Sequence, residues 1–316
     1  MAHELEIRED GTVSMAYVGE CPWHRLGTKV PPGLGTLEFM KLAGLDWEVV
    51  KEPAYSVING NVIPVGWSSL YRKTDFKVLD TVSDEWFELQ NKQQFEFISD
   101  FVANGDMSIE TGGSLAGGQI VWVLAKINES FDLFKGDTID SYLLFTNYHK
   151  YGFSTDIRFT PIRVVCKNTL SISLNSMNVQ FAKFSHRKAF NPEIAKETLG
   201  IVTTKMEKYK EMATFLGSKK TKEEDIVQFF KRLYPTASIK EPMSRNAKKG
   251  LDVLNLQPGA EFAQGTWWTP FNAVTYMTDH LLSRTDDTRL VSAWYGDGKN
   301  KKNRALELAV EYAQSA

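Results

Sequence analysis

The chain of 316 residues carries only two cysteines, Cys21 and Cys166, and no apolar run near the eighteen residues that a membrane helix needs. Two thiols cannot build a disulfide framework and are too few for a structural zinc site, so both are read as buried thiols. The opening MAHELEIRED is acidic and polar, unlike the cationic-then-apolar pattern of a secretory leader. The expectation is a soluble cytoplasmic protein with no membrane partner and no cofactor.

Catalytic signatures are missing too. GDGKNKK lacks both the glycine spacing and the Ser/Thr of a phosphate-cradling loop. In ETGGSLAGG, Ala116 stands where a Gly-x-Ser-x-Gly elbow needs glycine, and the strand follows the segment instead of preceding it. H-E-x-x-H, C-x-x-C and G-x-G-x-x-G do not occur. Cys21 and His24 lie three apart in CPWHRLGT, which suits half a metal site or a thiolate–imidazole pair. His149, His186 and His280 complete no spaced ligand pattern, so a docking loop that buries Trp23 is the simpler reading. Asp279 and His280 are neighbours on an expected helix and point apart, which favours a capped or half-buried histidine over a general base pair.

What the chain does have is a core and an uneven charge. With 42% hydrophobic and 12% aromatic residues it can bury a large interior, as one big domain or two smaller ones. The net charge of −2 hides a formal −7 over residues 61–146 and +11 over residues 147–250. Such a basic island suits a polyanion partner, although a solvated helical face accounts for it equally simply.

Periodicity divides the chain into an expected β-rich α+β domain, residues 1–190, and a helical region, residues 191–316, that packs on or extends it. AYSVINGNVIPVGWSSLYRKTDFKVLDTV reads as strands about the hairpin dipeptide Asn59-Gly60. NKQQFEFISDFVAN places Phe95, Ile98 and Val102 at helical spacing and stops at Asn104-Gly105, which gives one helix crossing a twisted mixed or antiparallel sheet. IVWVLAKI and SYLLFTNYHKYG read as neighbouring strands, and STDIRFTPIRV as a strand in which Pro161 marks a bulge or edge. CKNTLSISLNSM fits strand or helix. The preferred reading is a helix from near Asn168, leaving free backbone N–H groups beside Arg158 and Arg163.

Further on, Asn191-Pro192-Glu193 is an N-cap, first-turn proline and acidic first turn, followed by Leu199, Val202, Met206, Tyr209, Ala213 and Leu216 at helical spacing. Thr221 with Glu224 has the capping-box pattern, SRNAKKGLDVLNLQPG reads as a loop with a short helix, and two more helices close the chain. Trp267 and Trp268 are assigned to the core.

Cations interleave with aromatics at three places bordering the basic island. YRKTDFK holds Arg72 and Lys73; NYHKYGF holds Tyr148, Lys150 and Tyr151; KFSHRKAF holds Lys183, Arg187 and Lys188. Single-stranded nucleic acid binding needs cations to follow phosphates and flat rings on which bases stack. Arg158 and Arg163 from a strand, with Lys167, Asn168 and Thr169 entering a helix, make a second phosphate-suited group. Internal salt bridges against the acidic first half are the competing role.

The stretches PWHRLGT, IETGGSLAGGQIVWVLAKI, IRVVCKNTL and WWTPFNAVTYMTDHLLSR…WYGDGKNKKNRALELA resemble the phage/plasmid-like protein family, domain of unknown function 932. The resemblance spans nearly the whole chain. It implies a role in a mobile element's DNA metabolism or its contest with the host, and brings no catalytic residues to carry over. The outline of a β-rich sheet, a crossing helix and a basic groove is also similar to the single-strand annealing proteins of phages, at the level of fold alone. The leading expectation is a non-enzymatic, oligomeric single-stranded DNA binding and annealing protein, working with host or phage recombination proteins. The second is a phage interaction protein that binds a host factor in an anti-defence or takeover role. An enzyme built around Cys21, His24 and His280 ranks third.

Overall fold

In the computed structural model the described residues are 5–8, 10–19, 26–134, 136–163, 168–169, 182–236, 242–282, 292 and 296–315. Strands dominate the first half and helices the second, the α+β arrangement expected. Two units result, both discontinuous in sequence: Met1–Asn128 with Tyr142–Arg158 and Gln180–Leu199, and Glu129–Ser141 with Phe159–Val179 and Gly200–Ala316.

The first unit rests on a mixed sheet. Strands β1 (Met15–Val18) and β2 (Thr28–Val30) pair parallel, whereas β6 (Met107–Leu115) is antiparallel to both β1 and β7 (Ile120–Phe134). The order continues through β8 (Asp137–Tyr148) and β9 (Thr155–Arg163), with β11 (Ala182–Phe184) antiparallel to β9. The expected neighbours IVWVLAKI and SYLLFTNYHKYG are β7 and β8. A smaller sheet holds β3 (Val49–Ile58), β4 (Asn61–Arg72) and β5 (Val78–Ser83), all antiparallel. Its first turn is Asn59-Gly60, with φ of 50° and 80°, the left-handed pair a tight hairpin requires.

Two helices of this unit put aromatic rings together. Phe39 of α1 (Thr36–Leu42) and Phe95 of α2 (Asn91–Ala103) stack at 6.4 Å between centroids. Gly112 of β6 makes room for them, since a Cβ there would sit 3.1 Å from the Phe39 ring and 3.6 Å from that of Phe95. At Gly113 a Cβ would lie 2.9 Å from the Ser14 carbonyl oxygen on the neighbouring strand. Gly112 and Gly113 thus serve close approach within the sheet, while Gly117 and Gly118 take left-handed φ in the turn Ala116–Gly118 that follows β6; the segment is a strand end and turn, not a nucleophile elbow.

The second unit is mostly helical: α3 (Pro192–Ser218), which enters it at Gly200, α4 (Glu223–Leu233), α5 (Arg245–Val253), α6 (Trp268–Tyr276) and α7 (Asp297–Gln314). Asn191 caps α3 as expected, its carboxamide oxygen accepting the Glu193 and Ile194 N–H groups at 2.9 and 3.2 Å. Thr221 does not cap α4. Lys222 holds that position without a side-chain cap bond, and Glu223, Glu224 and Asp225 face the positive helix end instead. Ser244 caps α5 through the Ala247 N–H at 3.2 Å. Trp267 and Trp268 are core residues, each 1% exposed.

A π-helical turn, Met277–Leu281, extends α6 and delivers Asp279 to Lys302 of α7 at 2.7 Å, an ion pair with both side chains buried. Asp279 therefore serves Lys302 rather than His280, whose ring packs on Tyr276 at 5.0 Å.

Asn168 and Thr169 make a short strand, β10, antiparallel to Arg163 and Ile162 of β9, so the expected helix does not begin at Asn168; residues 170–181 lie outside the described residues. Cys21, Trp23, His24, Cys166 and Lys167 lie outside the described residues.

Gly113→Val is expected to destabilise the protein by about 1–3 kcal/mol, since the added carbons meet backbone that cannot yield. Gly35→Ala, where a Cβ meets open space, is the control. Denaturant midpoints of the two variants against the parent check it.

Candidate nucleic-acid interface

The end of the first unit where β8 stops and β9 begins is organised by buried amides and imidazoles. Asn91, at the start of α2, donates to the Leu45 carbonyl at 3.0 Å, and its side-chain oxygen accepts the Nε2–H of His149 at 2.9 Å. The Asn147 amide donates to the Leu89 carbonyl at 2.7 Å, and its oxygen accepts from the Thr155 hydroxyl at 3.1 Å. His186 donates from Nδ1 to the Phe87 carbonyl at 2.8 Å, while the Phe87 N–H returns a bond of 2.7 Å to the His186 carbonyl. Nε2 of His186 faces Thr155 at 3.4 Å, and its ring stacks on Trp86 at 4.2 Å.

The pairing of β9 with β11, which sets Phe184 opposite Thr155, brings two loops close, residues 149–154 and 185–189. Their outer sides carry the exposed chemistry. Tyr151 and Phe153 are 49% and 48% exposed, and Lys150 sits 5.5 Å from the Phe153 ring centre. The Tyr151 ring meets Trp67 edge-on at 5.2 Å, and its N–H donates to the Asp80 carboxylate at 2.8 Å. Arg187 and Lys188 project from the second loop and Lys183 from β11, all three exposed. Phe87, 48% exposed, completes the rim.

Among the residues expected to bind phosphate or bases, Lys150, Tyr151, Lys183, Arg187 and Lys188 belong to the first unit, on β11 itself or on the segments that flank the paired strands β9 and β11. Others have internal duties. Arg72 is buried, bonded to Glu6 at 2.8 Å and to Asp75 at 2.6 and 2.9 Å, with its guanidinium over the Trp47 ring. Lys73 pairs with Glu48 at 2.6 Å, and that partner holds the Glu48 carboxyl below its ordinary range. Arg158 is bound through Nε to Asp156 at 2.6 Å, with its side chain 11% exposed, so the salt-bridge role applies to it.

Tyr148 is buried and stacks on Phe153 at 5.1 Å, its phenol pushed well above the ordinary range by burial. It supports an exposed ring without being one. Arg163 and Asn168 fall in the second unit, as partners across β9 and β10.

Trp67 and Phe87 escaped the sequence reading. The available signals were two serines after Trp67 and the acidic neighbours of Phe87 in DEWFEL, which mark a solvent-facing strand end and an exposed loop. Among the described residues no group of three or more His, Cys, Asp or Glu side chains could hold a metal ion, and no helix is long and apolar enough to cross a membrane.

Fold and rim together define an α+β protein with a loop-built surface of rings and cations over a buried polar scaffold. The chain belongs to the family described as Domain of unknown function (DUF932), whose sequence model matches residues 78–306. No curated protein and no solved structure matches it.

Burial pulls the pKa of His149 down to about 3, with His186 adding to the effect, and desolvation lowers His186 as well. Both are neutral in the fold at pH 7, whereas the unfolded chain takes up their protons as pH falls through about 6.5. Their contribution is therefore intact above pH 6.5 and lost on acidification, by about 1 kcal/mol per pH unit for His149 until pH nears its folded value. Melting temperatures from pH 7.5 down to pH 5 are expected to fall, and more shallowly in a His149→Gln variant that folds.

Proposed function

We propose that this protein binds single-stranded DNA without enzymatic action, gripping phosphates with Lys150, Lys183, Arg187 and Lys188 while Tyr151 and Phe153 offer faces for bases. One observation carries the reading: the loops after β8 and β11, brought close where Phe184 pairs with Thr155, present cations and exposed rings, with Lys150 against Phe153. That pairing is what sequence-tolerant single-strand binding requires, since cations follow a backbone of uniform charge and rings accept any base. Duplex DNA hides its base faces and gains nothing from the rings. Annealing of complementary strands, in the service of a phage or other mobile element, is the biological role that suits such a surface.

A protein partner, such as a host factor, is the second reading. It is favoured by the exposed acidic residues Glu85 and Glu88 on either side of Phe87, which would repel phosphates from that part of the rim. On the DNA reading the strand keeps to the Lys150–Arg187–Lys188 side.

Fluorescence anisotropy of a labelled single-stranded oligonucleotide, at low and near-physiological salt and with duplex as competitor, distinguishes the two. Affinity should fall steeply with salt, and Arg187→Ala or Lys188→Ala should each reduce the salt slope by about one contact's worth. Tyr151→Ala should weaken binding by about 1–3 kcal/mol at every salt concentration. Absence of binding at low salt would discard the DNA reading in favour of the protein partner.

A further inference from the structure

The β3–β4 hairpin outruns its sheet. Pairing with β5 reaches only Trp67–Tyr71, so from Pro53 to Gly66 the hairpin is a bare two-stranded ribbon. Six residues per strand give it a reach of about 20 Å. Ribbons of this kind are normally polar, because a lone hairpin has nothing to pack against. Here the opposite holds. Tyr55, Val57, Ile58, Val62, Ile63 and Val65 are all exposed, Val57 and Val62 by 73% and 67%.

The register places these side chains on both faces. Tyr55 opposes Pro64 and Val57 opposes Val62 on one face; Ser56 opposes Ile63 and Ile58 opposes Asn61 on the other. Pro53 and Pro64 each remove a backbone donor, which discourages strand addition along the edges and leaves the side-chain faces as the contact surface. From Pro53 to Tyr71 there is no charged residue. The ribbon thus has no cation for a phosphate, whether of nucleic acid or of a lipid headgroup.

The area argument selects the occupant. The six side chains offer roughly 600 Å² of mainly apolar surface, the upper end of what a monomer leaves bare. One arm covered by one acceptor would remove about 1,200 Å² in all, the bottom of the range for specific interfaces, whereas a reciprocal pair would remove about twice that. Only a second copy of this chain supplies the reciprocal arm, and a two-fold axis makes both contacts the same. We propose that the Pro53–Gly66 ribbon is a dimerisation arm, exchanged between two copies of this chain.

Light scattering and sedimentation equilibrium of the full chain, across the micromolar range and without nucleic acid, test this independently of any DNA binding. The parent protein should run at twice the chain mass of 35.8 kDa. Val57→Lys/Ile63→Lys, with a charge on each face, should run at the single-chain mass and still unfold cooperatively, with a midpoint that, unlike the parent's, does not change with protein concentration, since both side chains are solvated in the single chain. Val57→Ser/Ile63→Ser, which keeps the ribbon neutral, should weaken dimerisation at least tenfold. A parent protein at single-chain mass, a dimer that persists in the folded lysine variant, or an undiminished dimerisation constant in the folded serine variant overturns the proposal.

Discussion

A buried polar side chain must find partners inside the protein, and the first unit is assembled around meeting that demand. Helix α2 carries the requirement. Gln90 exchanges two bonds with the backbone of Val49, at 2.9 and 2.8 Å, and Asn91 holds Leu45 and His149. Gln94, fully buried, donates to Phe145 on β8 at 2.8 Å and to Val121 on β7 at 3.3 Å. Apolar packing alone would let a helix slide over a sheet at little cost. Amides aimed at single carbonyls fix its position, and with it the ends of β3 and β8 from which the exposed rim projects.

Electrostatics follows the same logic of internal matching. Glu6 and Asp75 take up Arg72, and Asp156, within the basic stretch itself, takes up Arg158. Cations that look alike in sequence therefore divide into two populations. Those with a carboxylate close by in the fold hold the structure together, and Lys183, Arg187 and Lys188 stay exposed at the surface.

Much of this architecture was legible in the residues. Asn59-Gly60 announced its hairpin because few other dipeptides accept two left-handed conformations, and Asn191-Pro192-Glu193 announced α3 because a capping amide, a fixed φ and a negative first turn coincide. The rim was half legible. Cations beside aromatics identified both loops, but Tyr148 was taken as a base platform. Strand β8 is buried along nearly its whole length on both faces, so alternation could not reveal which way that ring pointed. Arg158 was misjudged because its partner lies two residues away on the same strand face, where sequence shows proximity but not that burial makes the pair compulsory. The strand at Asn168 and Thr169 was not legible because its ladder with β9 is a tertiary contact.

The place of β1 in the sheet has a consequence for how the chain is made. Tyr17 of β1 pairs with Thr111 of β6, and Leu5 bridges to Leu115. At a synthesis rate of about 5–20 residues per second, the N-terminal strand spends roughly 5–20 s outside the ribosome before its partner exists. Met15, Tyr17 and Leu5, all buried in the finished fold, stay solvent-accessible during that interval. The β1–β6 ladder is thus a pairing between segments distant in sequence, the kind that contact order makes slow to form.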